Sequence, residues 1–290
     1  MAAAHDGLRA VSETLMPEGD TIYRAAATLH KALAGHRVVR FESVFPALTR
    51  VHDDRPLTAM TIDKVESVGK HLLMHFSGAL VLRTHMRMSG SWHIYRSGER
   101  WRRSPRDMRI LLATADFEAV GFNIHVAEFI SDKDLARHEA LSRLGPDLLG
   151  SNFDRTEAIR RLREQATIPI ADVLLKQSVL AGLGNVYKSE ALFACGISPF
   201  VAVADLSDQQ LIALVEAGRH LLQANVVVSS SGLVPDGGSR RTTGRDSPSE
   251  RLWVYGRARM PCRTCGATIE VRKQGLDARL TYWCPNCQRL

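Results

Sequence analysis

Apolar residues along the first ordered stretch of the chain recur with a helical period. Ile22, Ala25, Ala26, Leu29 and Leu33 fall at i, i+3, i+4, i+7 and i+11, one face of an α-helix. Asp20 stands where a cap would open that helix and Gly35 where it would close. From Val38 to Ile130 the period shortens towards two. The segments RVVRFESV, KVESVGKHLLMHF, ALVLRTHM, SWHIY, RILLAT and FEAV read as strands, with helical patterning nearly absent between them. Short strands joined by close turns predict a sandwich or a barrel. The arginine-rich SGERWRRSPR is a loop between two of them.

Beyond Ser131 the pattern becomes helical. SDKDLARHEAL predicts one short helix and RLGPDLLGSNF a linker. Helices follow at about 154–166, 169–177, 185–195 and 208–228, the last opened by the capping-box pattern Ser207-x-x-Gln210. Residues 229–250 are polar, basic and rich in Gly, Ser and Pro, which predicts a mobile loop. The order is a β domain, a helical domain, a loop and a terminal cysteine-bearing hairpin.

A length of 290 residues leaves room for two or three domains of ordinary size. No apolar run reaches the roughly 18 residues of a membrane span. The first fifteen residues carry Asp6 and Glu13 and lack the apolar stretch of a secretory signal. The expectation is a cytoplasmic protein with no membrane partner. Its net charge of +7 points to an anionic partner. The charge is concentrated: Arg83 to Arg109 holds eight arginines against Glu99 and Asp107, and Arg251 to Leu290 holds eight basic residues against Glu270 and Asp277. Two such segments fit either a phosphate-lined groove or two solvated faces.

Four of the five cysteines lie near the C-terminus, as Cys262-x2-Cys265, eighteen residues, then Cys284-x2-Cys287. A Cys-x2-Cys turn presents two thiolates on one knuckle, and a hairpin of this length returns the second pair, so the spacing predicts one structural Zn²⁺. The intervening ATIEVRKQGLDARLTYW reads as two strands around Lys273-Gln274-Gly275. Disulfides are the competing use of these cysteines, disfavoured in a cytoplasmic chain. Cys195 reads as a small buried hydrophobe.

Ala181-Gly182-Leu183-Gly184-Asn185 feeds directly into a helix. Glycines allow close backbone approach, and a helix start offers N–H groups to an anion. With a zinc hairpin and a basic surface, DNA phosphate becomes the expected anion, and Asn185 a further donor to it.

MPEGDTIYRAA, GKHLLMHF, GLGNVYKSEALFACGISP and CxxC-x18-CxxCQ occur here in one order. In that order the chain resembles the formamidopyrimidine-DNA glycosylase/endonuclease VIII family from Met16 to its end. The resemblance implies an α+β multidomain fold: a β-sandwich over 16–130, a linker and helix–two-turn–helix domain over 131–228, a basic loop over 229–250 and a zinc finger over 251–290. It also implies excision of oxidised bases from double-stranded DNA with cleavage of the strand, by a monomer that is nucleoid-associated in a bacterium.

Roles for single residues follow from the resemblance. Pro17 matches the family's nucleophile, a free secondary amine that attacks C1′ of the damaged nucleotide. An α-amino group, with a pKa near ~8, is far more often neutral at pH 7 than a lysine near ~10.4. Glu18 matches the acid/base carboxylate, although a carboxylate in a helix's first turn is also favoured by the dipole. Lys70 matches a hairpin lysine assigned to β-elimination, and is otherwise a solvated strand lysine. Arg279 matches the finger arginine that grips phosphate in a bidentate way and assists δ-elimination. Arg87, Arg143 and Asn185 align with DNA-contacting positions. Met88 stands at the wedge that fills the gap left by a flipped base, with a core methionine as the plain alternative.

Two departures stand out. If the chain begins at Met1, Pro17 is an internal amide with no lone pair for attack. Met16-Pro17 is itself a plausible start, and residues 1–15 are then an extension absent from the working protein. Secondly, AVGFNIHVAEF lacks the Arg-Phe wedge pair of the formamidopyrimidine branch, so the chain looks more like endonuclease VIII, which implies oxidised pyrimidines. A damaged-DNA-binding protein with a blocked nucleophile is the alternative function. A zinc-ribbon transcription factor would leave MPEGD and GKHLL unexplained.

Overall fold

The computed structural model describes residues 17–226, 240–245 and 247–289. The extension at 1–15 and much of the loop expected at 229–250 lie outside the described residues. Helix α1 (Gly19–Leu33) buries Ile22, Ala25, Ala26, Leu29 and Leu33, the stripe read from its period. Its start is not capped as expected: Glu18 occupies the cap position without a side-chain bond to its own helix. Asp20 sits inside the first turn, its carboxylate turned to a distant arginine. Gly35 closes the helix with φ +81°, a conformation that costs glycine little.

Eight strands follow: β1 (Arg40–Ser43), β2 (Ile62–Val68), β3 (His71–Phe76), β4 (Leu80–His85), β5 (Ser91–Arg96), β6 (Met108–Ala113), β7 (Phe117–Phe122) and β8 (Val126–Ser131). They form two four-stranded antiparallel sheets, ordered β1-β6-β7-β5 and β2-β3-β4-β8. Of the sandwich and the barrel, the sandwich is the one adopted. Its core joins α1 to residues of both sheets, among them Ile62, Met74, Leu82, Ile110 and Leu112. KVESVGKHLLMHF is a hairpin, pairing Val68 with His71 across the two-residue turn Gly69-Lys70. One helix interrupts the region read as strands: α2 (Pro46–Asp54) has Pro46 in its first turn and buries only Leu48. Proline suits a helix start, and so short an apolar face carries almost no periodic signal. The arginine-rich loop 97–104 is fixed by Trp101, whose indole N–H donates to Glu118 at 2.9 Å and whose ring packs on Phe122.

SDKDLARHEAL forms two short helices, α3 (Asp132–Leu135) and α4 (Glu139–Ser142). The break falls at His138, which takes extended geometry and lies 3.1 Å from Glu128 on β8. The helical domain continues with α5 (Arg155–Arg163), α6 (Ile170–Val173), α7 (Asn185–Ala194) and α8 (Asp208–Ala224). The helix expected over 169–177 is thus only one turn, ending as the chain turns back towards Gly182. The Ser207/Gln210 capping box forms with both reciprocal bonds. A separate core of Leu148, Leu162, Leu180, Tyr187, Leu192, Leu211 and Leu214 holds these helices. The terminal hairpin is β9 (Glu270–Gln274) with β10 (Arg279–Trp283), packed with Val254, Ile269 and Phe193.

Candidate active site and metal centre

Helix α7 is the element on which the site is assembled. Glu18, almost fully buried, accepts from the N–H of Val186 at 2.9 Å and, more weakly, from that of Tyr187 at 3.5 Å. The helix start read as a seat for DNA phosphate therefore holds the chain's own carboxylate, an anion equally suited to it. The glycines matter for this contact. A Cβ at residue 184 would lie 2.2 Å from Glu18 Cδ. Gly182, at φ +95°, brings its carbonyl within 2.9 Å of the Gly19 N–H. Pro17, half-buried, leads directly into Glu18.

Lys70 lies at the tip of the β2–β3 turn, and that turn is gripped by the helical domain. Asp147 accepts from the Gly69 N–H at 2.7 Å and from that of Leu149 at 3.0 Å. Burial raises the Asp147 pKa, opposed by these two bonds. Burial pushes the Lys70 ammonium down to about 8; Glu18 and Asp20 oppose that shift, while Arg240 and Arg279 add to it. Four groups from α1, the segment after residue 239 and the finger thus act on one lysine. The neighbouring His71 and His85 rings, 4.9 Å apart, are pushed by burial to about 3 and about 4. They add no charge beside Lys70 at neutral pH.

Arg279 begins β10 with a partly exposed guanidinium, 3.9 Å from the Met88 sulfur. Met88 is half-exposed in the turn after β4 and not in the core. Arg87 there has φ +54°, its N–H donating to His85 Nδ1. Arg143 is exposed and pairs with Glu139 at 2.8 Å. Asn185 differs from expectation: it is buried, its Nδ2 donates to the Leu280 carbonyl at 2.8 Å, and its Oδ1 accepts from Lys188 at 2.8 Å. In this structure it ties α7 to the finger strand next to Arg279. Lys188, fully buried, also donates to Thr281 at 2.8 Å, and burial brings its pKa to about 8.

The four cysteine sulfurs lie within 4.8 Å of one another. Cys262 and Cys287 are 3.9 Å apart and Cys265 and Cys284 3.5 Å, close to the ~3.8 Å between sulfurs of a tetrahedral site with Zn–S near 2.3 Å. N–H groups of Thr264 and Cys287 point at the Cys262 and Cys284 sulfurs, at 3.4 and 3.5 Å, as thiolates require. Donor set and spacing fit a structural zinc.

Asp147, Lys188, Glu190 and Arg240 were not singled out by the sequence. Lys188 and Glu190 carried a signal, two charges on a short helix that is otherwise apolar and small. Asp147 and Arg240 carried none, because their partners lie 78 and 220 residues away.

A β-sandwich with a buried carboxylate at its entry, a helical domain closing on that carboxylate and a four-cysteine finger define a class of DNA-repair enzyme. Residues 16–133 match the formamidopyrimidine-DNA glycosylase N-terminal domain, residues 144–235 its H2TH domain, and residues 261–290 the zinc finger found in FPG and IleRS. A probable endonuclease 8 of Streptomyces coelicolor is 40% identical, covering 94% of each chain. A DNA-(apurinic or apyrimidinic site) lyase of Mycolicibacterium smegmatis is 36% identical over 94% of this chain and 99% of its own. The chain belongs to the formamidopyrimidine-DNA glycosylase/endonuclease VIII family of DNA glycosylases/AP lyases for oxidised bases. A solved complex of the Lactococcus lactis Fpg with abasic-site DNA shares the fold, with a TM-score of 0.78 at 24% identity over 94% of this chain and 100% of that one. Among the described residues no helix is long and apolar enough to cross a membrane.

Proposed function

We propose that the protein excises oxidised pyrimidines foremost from double-stranded DNA and cleaves the strand by β,δ-elimination, with Pro17 as nucleophile. The observation that carries this reading is that Glu18 and Arg279 both act on the buried Lys70, with Pro17 next to Glu18 in the chain. The match to the N-terminal domain begins at residue 16, which supports a working chain that starts there and loses its methionine. The Pro17 amine then attacks C1′, the bond from C1′ to the base breaks, and the opened sugar is held as an iminium. Glu18 handles the proton at the sugar. Lys70, with its proton affinity lowered towards neutrality, suits proton transfer in β-elimination. Arg279, with its partly exposed guanidinium, would hold the departing phosphate, and Arg87 and Arg143 the backbone. Met88 projects as the wedge behind the flipped nucleotide. Asn185 has a second Nδ2 N–H, beyond the one given to Leu280, to offer to a phosphate.

We assign one zinc to the finger, bound by Cys262, Cys265, Cys284 and Cys287; it fixes the hairpin that presents Arg279. A monomer in the cytoplasm, associated with the nucleoid, fits a DNA substrate. A binder with a blocked nucleophile is not favoured, since binding alone has no use for a buried carboxylate facing a lysine of lowered proton affinity.

Borohydride trapping on an abasic-site duplex, with protein expressed from its native gene, tests the reading. The expected adduct maps to a peptide beginning at Pro17. No adduct, with residues 1–15 retained and DNA still bound, would overturn it.

A further inference from the structure

Two residues beyond Glu18, the Asp20 carboxylate is fully buried. Its partner comes from 220 residues further along the chain. Arg240 Nε donates to both Asp20 oxygens at 3.2 and 3.1 Å, and Nη2 donates to Asp20 Oδ1 and to Thr21 Oγ1, each at 3.1 Å. Arg24 adds a longer contact of 3.7 Å. The Arg240 guanidinium also lies 5.5 Å from the centre of the Tyr187 ring, and Tyr187 is one of the two residues whose N–H groups face Glu18. The segment carrying Arg240 is itself anchored. Arg241 and Asn225 exchange two hydrogen bonds of 2.8 Å at the end of α8, and Thr242 donates to Glu190 on α7.

A buried ion pair adds little net stability, since desolvation offsets the attraction. A guanidinium fork does fix direction, because its donors are rigid and planar. We propose that Arg240 is a positioning residue for the reaction: its fork on Asp20 and Thr21 locks the Pro17–Glu18 start of α1 against the first turn of α7. The proposal rests on the reading of Pro17 as nucleophile. It also places two opposite charges near Lys70, with Arg240 disfavouring and Asp20 favouring the ammonium.

The test uses the full chain starting at Pro17, with Arg240→Met, Arg240→Lys, Asp20→Asn and the double variant Asp20→Asn/Arg240→Met. A small misplacement of a reacting group costs rate more than binding, so single-turnover trapping is expected to slow at least about tenfold in Arg240→Met and Asp20→Asn. Affinity for a duplex bearing a tetrahydrofuran abasic analogue is expected to stay within about threefold. The double variant, with no unpaired buried charge, traps faster than either single one, and Arg240→Lys falls between wild type and Arg240→Met. A second readout is ¹⁵N NMR of the Lys70 ammonium. Its titration moves to higher pH in Arg240→Met and to lower pH in Asp20→Asn, whereas a general loosening would move both the same way. Unchanged trapping in both single variants, or losses that track DNA affinity, overturn the proposal while leaving the Pro17 reading intact. Wild-type protein that traps no DNA removes both.

Discussion

Two buried glutamates serve the same helix in opposite ways. Glu190, on α7, accepts from three successive backbone N–H groups, Trp253 at 2.8 Å and Val254 and Tyr255 at 2.9 Å each, and from the Thr242 hydroxyl. Glu18, from the other end of the chain, has one bond of normal length to Val186 and one long contact to Tyr187. Both carboxylates are essentially inaccessible. The first is saturated: every lone pair has a donor, and the side chain pins the entry of the finger to the helical domain. The second is under-satisfied and acts on Lys70. Burial and backbone donors are thus common to both carboxylates; what sets apart Glu18, the one proposed to react, is the acceptor capacity left unfilled.

Glu18→Gln should separate the two roles most sharply. Removal of an acid/base group lowers excision of dihydrouracil by about 10²- to 10⁴-fold in single-turnover assays. Because the amide oxygen still accepts from Val186, urea denaturation should change by only about 1 kcal/mol. Glu190→Ala should do the reverse. It orphans four donors and is expected to cost about 3–5 kcal/mol of stability, read by the same denaturation, with Trp253 fluorescence reporting release of the finger entry. An E190A protein as stable as wild type would break the comparison. The smallest effect is expected at Lys70, a charge that folding disfavours. Its folded pKa of about 8 lies below the ordinary value of 10.5, so the native state resists the proton. The penalty is complete below pH 8 and fades as pH rises towards 10.5. Lys70→Met should thus stabilise the protein by at least about 1 kcal/mol at pH 7, with the gain shrinking across pH 8 to 10.5. A gain that grows with pH would contradict the assigned sign.

The parts legible in the sequence are those with local signatures. The α1 stripe, the alternating strands, the Ser207 capping box and the cysteine knuckles all rest on residues within a few turns of each other. Helix α2 escaped because Leu48 is its only buried residue. The glycine turn was legible as an anion site, and the helix start there holds Glu18, supplied from 168 residues away. The Gly69–Asp147 bond, the Arg240–Asp20 fork and the Glu190 cluster are tertiary pairings between segments with no shared period. A loop arginine such as Arg240 looks like any solvated cation until the fold brings a carboxylate to it.

The two short bonds that join the sandwich to the helical domain beside the site, Gly69 to Asp147 at 2.7 Å and Gly19 to Gly182 at 2.9 Å, each sit next to a residue assigned to chemistry. A hinge opening between the two halves would have to stretch both. Lys70 would be drawn off with the hairpin and Glu18 would lose its seat on α7 in the same movement. One pair of backbone fasteners thus serves two neighbours at once: Lys70 and Glu18 keep their places on the helical domain together or lose them together.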